Sequence, residues 1–151
     1  MPAFVKSVLI DAPVEAVFRF HEREDALSLL TPAFSPVRMI GSTGGIKTGA
    51  RVELRVGVFR WVALHTAYEK DRLFVDEQIQ GPFAKWVHRH EFEADGDRTR
   101  LTDRIAYELP GGSLVNMLFG WTVSLGLRNM FSHRHRVTKE VCEKYSARES
   151  L

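Results

Sequence analysis

The chain predicts an α+β fold in which an antiparallel sheet packs on one long C-terminal helix, and three observations carry that expectation. Between Val37 and Leu109 short segments alternate apolar and polar residues and are separated by turn residues, the period-two signature of strands. After Pro110-Gly111-Gly112 nothing breaks a helical pattern before about Tyr145. A sheet with one apolar face needs a cover, and that helix is the only element of adequate size.

Taken in order, Ala3 to Ile10 is apolar and β-branched, a first strand stopped by Asp11-Ala12-Pro13. Asp11 is placed to cap the helix that follows, with Pro13 in its first turn. Val14, Val17 and Phe18, then Leu27, Leu29 and Leu30, recur at helical spacing, and the charges from Glu22 to Asp25 mark a joint between two short helices ended by Thr31-Pro32. From Phe34 onward the period changes. Val37 to Ile40, Arg51 to Val56, Phe59 to Tyr68, Leu73 to Ile79, Lys85 to Glu93 and Thr99 to Leu109 read as strands. Their breaks (Gly41 to Gly49, Gly57, Lys70-Asp71-Arg72, Gly81-Pro82, Asp95-Gly96-Asp97) are turn-like, which favours a meander.

With 151 residues and no repeat or linker, residues 1–151 read as a single domain. A chain of this length buries roughly 68–70% of its unfolded surface, enough for a core without metal or disulfide staples. The single cysteine, Cys142, excludes an internal disulfide and fits a reducing cytoplasm, the expected location. Phe4 to Ile10 is interrupted by Lys6 and does not read as a signal peptide. Within the helical pattern the uncharged stretch Ser113 to Leu127 falls short of the about 18–20 residues that span a bilayer. A formal charge of +2, spread along the chain, gives no reason to expect nucleic acid as a partner. No P-loop, dinucleotide fingerprint, G-x-S-x-G elbow or CxxC is present, so NTP hydrolysis, NAD chemistry, serine hydrolysis and thiol redox have no motif support. No cofactor is expected.

The strand faces carry the chemistry. In Lys85 to Glu93 the residues Trp86, His88, His90 and Phe92 alternate with the largely charged set Val87, Arg89, Glu91 and Glu93, so the first set faces inward. Phe74, Asp76 and Gln78 share the inward face of their strand, because Glu77 is an awkward residue to bury. In the last strand Leu101, Asp103, Ile105, Tyr107 and Leu109 are interior. For Phe59 to Tyr68 the set Trp61, Ala63, His65 is favoured over Val62, Leu64, Thr66, Tyr68. The interior then holds Asp76, Gln78, His88, His90 and Asp103, with His65 beside them. An unpaired buried carboxylate is too costly to persist, so each Asp needs a partner. Three readings stay open: a structural network in which carboxylates orient imidazoles, recognition of the polar end of a mostly apolar ligand, and acid/base catalysis by His88, His90 or Asp103. A metal site is not expected, since ligands on neighbouring strands would have to fall in register and no Cys-containing or helix-borne ligand motif supports one. Gly81-Pro82-Phe83 is a tight turn whose Phe83 folds over one end of the sheet.

On the C-terminal helix Leu114, Met117, Leu118, Trp121, Leu125, Arg128, Ser132 and His135 fall on one face at about 100° per residue. That stripe is expected to fill the groove of the sheet. A second stripe, Phe119, Val123, Met130 and Val137, then faces outward and awaits cover by the short helices, a second copy of the chain, or a membrane surface. His133-Arg134-His135-Arg136 points in four directions and reads as a solvated stretch favourable near a helix C-terminus.

This element order, the D-A-P-V-E-A-V-F run after the first strand and the final long helix resemble the helix-grip fold of the START/Bet v 1-like superfamily (SRPBCC), which includes polyketide cyclase/dehydrase-like and lipid-transfer proteins. The stretch F-V-D-E-Q-I-Q-G-P-F-A-K-W-V-H-R-H-E-F, with T-D-R-I-A-Y-E-L-P after it, is similar to a bacterial subgroup with few assigned activities. The resemblance implies a seven-stranded curved antiparallel sheet wrapped around the C-terminal helix, with two short helices after strand 1. It also implies a cavity for an apolar or amphipathic small molecule. Combined with the faces above, the expected ligand-binding set is Trp61, His65, Phe74, Asp76, Gln78, Phe83, Trp86, His88, His90, Phe92, Asp103, Tyr107, Leu118, Trp121, Leu125 and Arg128. The expected function is binding or transport of a lipid, isoprenoid or polyketide-like molecule, and an enzyme is not favoured. One alternative is a polyketide cyclase or dehydratase using an interior His/Asp pair. Another is an interaction module dimerising through the outer face of the C-terminal helix.

Overall fold

A computed structural model of the chain describes residues 2–33 and 35–149. Phe34, where the change of period is read, lies outside the described residues. The elements are β1 (Ala3–Ile10), α1 (Val14–His21), α2 (Ala26–Leu30), β2 (Val37–Thr43), β3 (Arg51–Val56), β4 (Phe59–Glu69), β5 (Leu73–Gln80), β6 (Lys85–Asp95), β7 (Arg98–Glu108) and α3 (Ser113–Glu149). The strands form one seven-stranded antiparallel sheet in the order β1-β7-β6-β5-β4-β3-β2. Strands β2 to β7 are a meander, as short turn-like connections favour, and β1 closes it by pairing along β7 from Ala3↔Ala106 to Ile10↔Thr99. Helices α1 and α2 carry the chain from one edge strand to the other. The fold is the helix grip.

Two details differ from the sequence reading. Pro13, with φ −66°, is the N-cap of α1, and no side chain caps that helix. Asp11 instead gives its backbone N–H to Glu143 Oε1 on α3 at 3.0 Å. Tyr68 also ties the Glu22–Asp25 joint to the sheet, its Oη donating to Glu22 Oε2 at 2.9 Å. The start of α3 is set by Gly111 and Gly112 at φ 106° and 84°. A Cβ on Gly111 would also come within 2.6 Å of Val115 Cγ2, so both backbone and space call for glycine there. Asn116 then ties helix to sheet, accepting from Leu109 N at 2.8 Å and donating to Gly112 O at 2.9 Å.

The interior has two apolar clusters. One gathers Ile10, Val17, Phe18, Phe20, Leu30, Phe74, Phe92, Leu101 and Cys142 under α1 and α2. Phe18 is its hub, edge-on to Phe92, Tyr68 and Phe74 with centroids at 5.0, 5.6 and 6.2 Å, in the range where such pairs add about 0.5–1.5 kcal/mol each beyond burial. The other cluster gathers Phe4, Trp86, Ile105, Tyr107, Leu127 and Phe131. Between them runs a polar belt. On β6 the inward residues read Trp86, His88, His90, Phe92; on β7 they read Tyr107, Ile105, Asp103, Leu101. On α3 the sequence runs Leu127, Phe131, His135, Cys142. Three elements thus place their polar residues at one level, flanked by apolar residues above and below.

The expected inner stripe of α3 is the largest correction. Met117 and Trp121 are 72% and 65% exposed, and Leu114, Leu118, Leu125, Arg128 and Ser132 are exposed with them. Of that stripe only His135 is buried. The face on the sheet is Gly120, Leu127, Phe131, His135, Thr138 and Cys142. Val123, Met130 and Val137, read as outward, pack against the two clusters, and only Phe119 of that second stripe is exposed.

Candidate functional site

A cavity of about 760 Å³ opens between α3 and the concave side of the sheet. Its walls are apolar: Leu27 and Leu30 from α2, Met39, Val52 and Leu54 from β2 and β3, Trp61, Phe83 and Trp86 at one end, and Val123, Leu127 and Met130 from α3. The aromatic end is built by packing, with Trp61 edge-on to Trp86 at 5.0 Å and to Phe83 at 5.6 Å. Gln78 lies behind that end rather than in the wall. Its amide donates to Phe83 O at 2.8 Å and accepts from Phe83 N at 3.2 Å, closing the Gly81-Pro82-Phe83 turn. A Cβ on Gly81 would sit 2.3 Å from Gln78 Oε1, so the turn admits only glycine without moving that side chain.

The polar belt joins the lining through His21, His65, Asp76, His88, His90 and Arg134. Strand pairing aligns it. His65 lies opposite Asp76, Asp76 opposite His88, and His90 opposite both Phe74 and Asp103 on its two neighbours. Asp103 is 3% exposed and anchors the belt. Its Oδ1 receives His88 Nε2 at 2.8 Å and stands 3.0 Å from His90 Nδ1, while Oδ2 receives His135 Nε2 at 2.6 Å. Asp76 Oδ2 meets His90 Nε2 at 3.0 Å. His90, stacked on Phe74 at 3.9 Å, therefore bridges two carboxylates.

These contacts set the charges. Burial alone would push the Asp76 carboxyl up, but the His90 hydrogen bond and the charges of His88, His90 and His65 hold it down at about 2. Burial acts the same way on Asp103, and hydrogen bonds from His135, His88 and His90 outweigh it, leaving the carboxyl well below its ordinary range. Burial would lower His90; its bonds to Asp103 and Asp76 raise it instead. His88 is lowered by burial and by the charge of His90, against the pull of Asp103 and Asp76. Burial also lowers His65. The belt can thus hold two carboxylates, one imidazolium and a neutral imidazole side by side.

Of the residues expected around a ligand, Trp61, His65, Phe74, Asp76, Phe83, Trp86, His88 and His90 line the cavity. Phe92 lies in the apolar cluster around Phe18, and Asp103 stands behind the histidines. Tyr107 reaches α3, donating to Gly120 O at 2.8 Å and sharing a hydrogen bond with Ser124 Oγ at 2.9 Å. Leu118, Trp121, Leu125 and Arg128 are exposed on the far side of α3 and take no part in the lining. Within the polar belt, His21 and Arg134 escape the sequence reading. His21 is buried at the end of α1, donating from Nδ1 to Val17 O at 2.9 Å. Arg134, read as part of a solvated run, turns inward with its guanidinium 5.1 Å over the Phe131 ring. Its Nε is buried with no hydrogen-bond partner, as are His65 Nδ1 and His135 Nδ1, and burial lowers its pKa against the attraction of Asp103 and Asp76.

Residues 10–131 match the family described as polyketide cyclase / dehydrase and lipid transport. The chain belongs to this family. Solved structures similar to this polyketide cyclase/dehydrase and lipid-transport family member share its fold. A nucleoside-diphosphate sugar epimerase from Corynebacterium glutamicum is 24% identical, with a TM-score of 0.71, over 91% of this chain and 28% of that one. The chain thus spans under a third of that protein's length. The Zhui aromatase/cyclase from Streptomyces sp. R1128 is 11% identical with a TM-score of 0.72, over 95% and 94% of the two chains. A START superfamily protein from Mycobacterium smegmatis is 15% identical with a TM-score of 0.66, over 95% and 98%. None of the curated proteins matches the chain. Among the described residues no helix is long and apolar enough to cross a membrane.

Proposed function

We propose that the protein binds a small amphipathic molecule in the cavity between sheet and helix, with its apolar body against the aliphatic and aromatic walls and its polar end on the His/Asp/Arg belt. The observation that carries this reading is the cavity itself: about 760 Å³, apolar over most of its lining, with polar groups gathered at one level. Ligand sites of roughly 300–1,000 Å³ have this composition, apolar surface supplying affinity and a few convergent polar groups fixing orientation. Arg134 and His90 give the belt cationic groups at the cavity surface, so a carboxylate, phenolate or enolate end is the favoured polar group.

The test is native mass spectrometry of the protein as isolated, before and after solvent extraction, followed by titration of the stripped protein with a naphthalene-sulfonate dye. The expected result is saturable one-to-one uptake of the dye, displaced by fatty acids or polycyclic phenols. Gly126 lines the cavity and a Cβ there meets nothing within 4 Å. Gly126→Trp therefore puts an indole into open space at the cavity and abolishes uptake while the protein stays folded. A stripped protein that takes up no dye, and shows no thermal shift with lipids or aromatics, refutes the reading.

Cyclase or dehydratase chemistry is the second reading, favoured by one observation: His88 and His90 line the cavity while Asp103 fixes both rings. A carboxylate-oriented imidazole beside a bound substrate is what proton transfer requires. Under this reading His90→Gln lowers turnover of a poly-β-keto substrate far more than it weakens binding.

A further inference from the structure

Asp76, His88 and His90 bring one ligand-type atom each to within 4.8 Å of one another, on two adjacent strands of a paired sheet. The register that the sequence left open is met: Asp76 pairs directly with His88, and His90 lies two residues further along the same inward face. We propose that these three side chains form a mononuclear site for a first-row divalent transition ion, through Asp76 Oδ2, His88 Nδ1 and His90 Nε2, with the remaining coordination positions open to the cavity.

Three features support it. The first is spacing. Asp76 Oδ2 lies 3.0 Å from His90 Nε2 and 3.8 Å from His88 Nδ1. Donor atoms about 2.0–2.1 Å from a tetrahedral ion are ~3.3 Å apart, and the two distances bracket that value. The second is the far side of each ring. His88 Nε2 and His90 Nδ1, the nitrogens not aimed at Asp76, both meet Asp103 Oδ1, at 2.8 and 3.0 Å. A carboxylate on the distal nitrogen is the usual support of a metal-binding histidine, fixing tautomer and ring plane. The third is a defect in the network without an ion. His88 gives its Nε2 proton to Asp103, so a neutral His88 presents an Nδ1 lone pair to Asp76 Oδ2 across 3.8 Å, too long for a hydrogen bond. Two lone pairs face one another, and a cation between them removes the conflict. It also compensates the two carboxylates gathered at this level. Two imidazoles and one carboxylate suit Zn²⁺, Fe²⁺ or Co²⁺ rather than Mg²⁺ or Ca²⁺, which prefer oxygen ligands.

The experiment needs no organic ligand, so its outcome is separate from that of the binding reading. Protein stripped with a chelator is titrated with Co²⁺, followed by visible absorption, and with Zn²⁺ in calorimetry. The expected result is one ion per chain, with visible bands of a four- or five-coordinate site. Asp76→Asn and His90→Gln each weaken binding by about 100-fold or more, and His133→Gln, away from the site on α3, leaves it unchanged. X-ray absorption of the wild-type zinc complex makes the test independent of variant folding, and the proposal requires two imidazole nitrogens and an oxygen at ~2.0–2.1 Å. No stoichiometric binding by the wild type, another ligand count, or affinity retained in both folded variants overturns it.

Discussion

Lowering the pH should destabilise the fold through His21, and the effect can be separated from that of the other histidines. The ring sits 9% exposed against Phe20, Phe74 and Phe92, with centroids at 5.4, 6.0 and 5.1 Å. Burial pushes its pKa down from 6.5 to about 4, opposed by the Val17 carbonyl and Asp103 and reinforced by the charges of His90 and His135. A folded-state value below the unfolded one means that the unfolded chain binds the extra proton. Stability is therefore complete above pH 6.5 and falls as the pH drops towards 4. With these values the loss is about 2 kcal/mol between about pH 7 and about pH 5, and about 3 kcal/mol by about pH 4. His88 and His65 act in the same direction and His90 in the opposite one, so the wild-type curve alone is a sum. His21→Leu keeps an apolar side chain among the three rings and removes one titration. Urea unfolding of both proteins from about pH 7.5 to about pH 4.5 should show His21→Leu gaining about 2.5 kcal/mol on the wild type towards the acid end. A difference between the two that stays constant with pH would refute the burial argument for this ring.

Further outcomes follow from the same geometry. Asp103→Asn leaves His88, His90 and His135 without their shared acceptor charge and should cost about 3–5 kcal/mol in denaturant unfolding, a loss under about 1 kcal/mol contradicting the anchor role. Leu127→Ala, on the buried face of α3, should cost about 2–5 kcal/mol, whereas Trp121→Ala on the exposed face should stay within about 0.5 kcal/mol. Gly126→Ala should stabilise by roughly 0.5–1 kcal/mol, since the added methyl meets no atom within 4 Å and a helix interior favours alanine. Cys142 is 2% exposed and burial pushes its thiol up to about 12, so a disulfide reagent should label it only on unfolding.

The sheet was legible because charge marks its outer face. Arg89, Glu91 and Glu93 leave Trp86, His88, His90 and Phe92 no side but the inside, and the same reasoning found Asp76 and Asp103. His21 was within reach: it lies four residues after Val17 and three after Phe18, on the buried side of α1, but sits next to a charge cluster that reads as a joint. Arg134 was hidden by its neighbours. In a run of four basic residues no single one stands out, and only the position of Phe131, one turn earlier on the same face, shows which of them must turn in. What no residue pattern contained was pairing across strands. That Asp76 stands opposite His88, and His90 opposite Asp103, is a property of register, and register is what turns scattered imidazoles and carboxylates into a belt.

The facing of α3 failed for a different reason, and the reason is physical. Its N-terminal half carries large apolar residues on nearly every side, from Leu114 through Met117, Phe119 and Trp121 to Leu125 and Leu127. Weighting by size selects the stripe through Leu118, Trp121 and Leu125. The buried side passes instead through Gly120, half-buried Ser124 and Leu127, each one residue before Trp121, Leu125 and Arg128, which is a rotation of about 100°. Tyr107 accounts for the choice. Its ring is 1% exposed on β7, and its hydroxyl can be paired only if α3 presents Gly120 O and Ser124 Oγ to it. Turning the helix to bury Trp121 would withdraw both partners, leaving a buried phenol unpaired at a cost of about 1–3 kcal/mol. The same turn would carry Leu127 and Phe131 away from Phe4, Trp86 and Ile105. It would also pull His135 off Asp103 and open the belt at its anchor. The exposed stripe is thus what remains when a hydroxyl, an apolar cluster and a carboxylate all select the same opposite face.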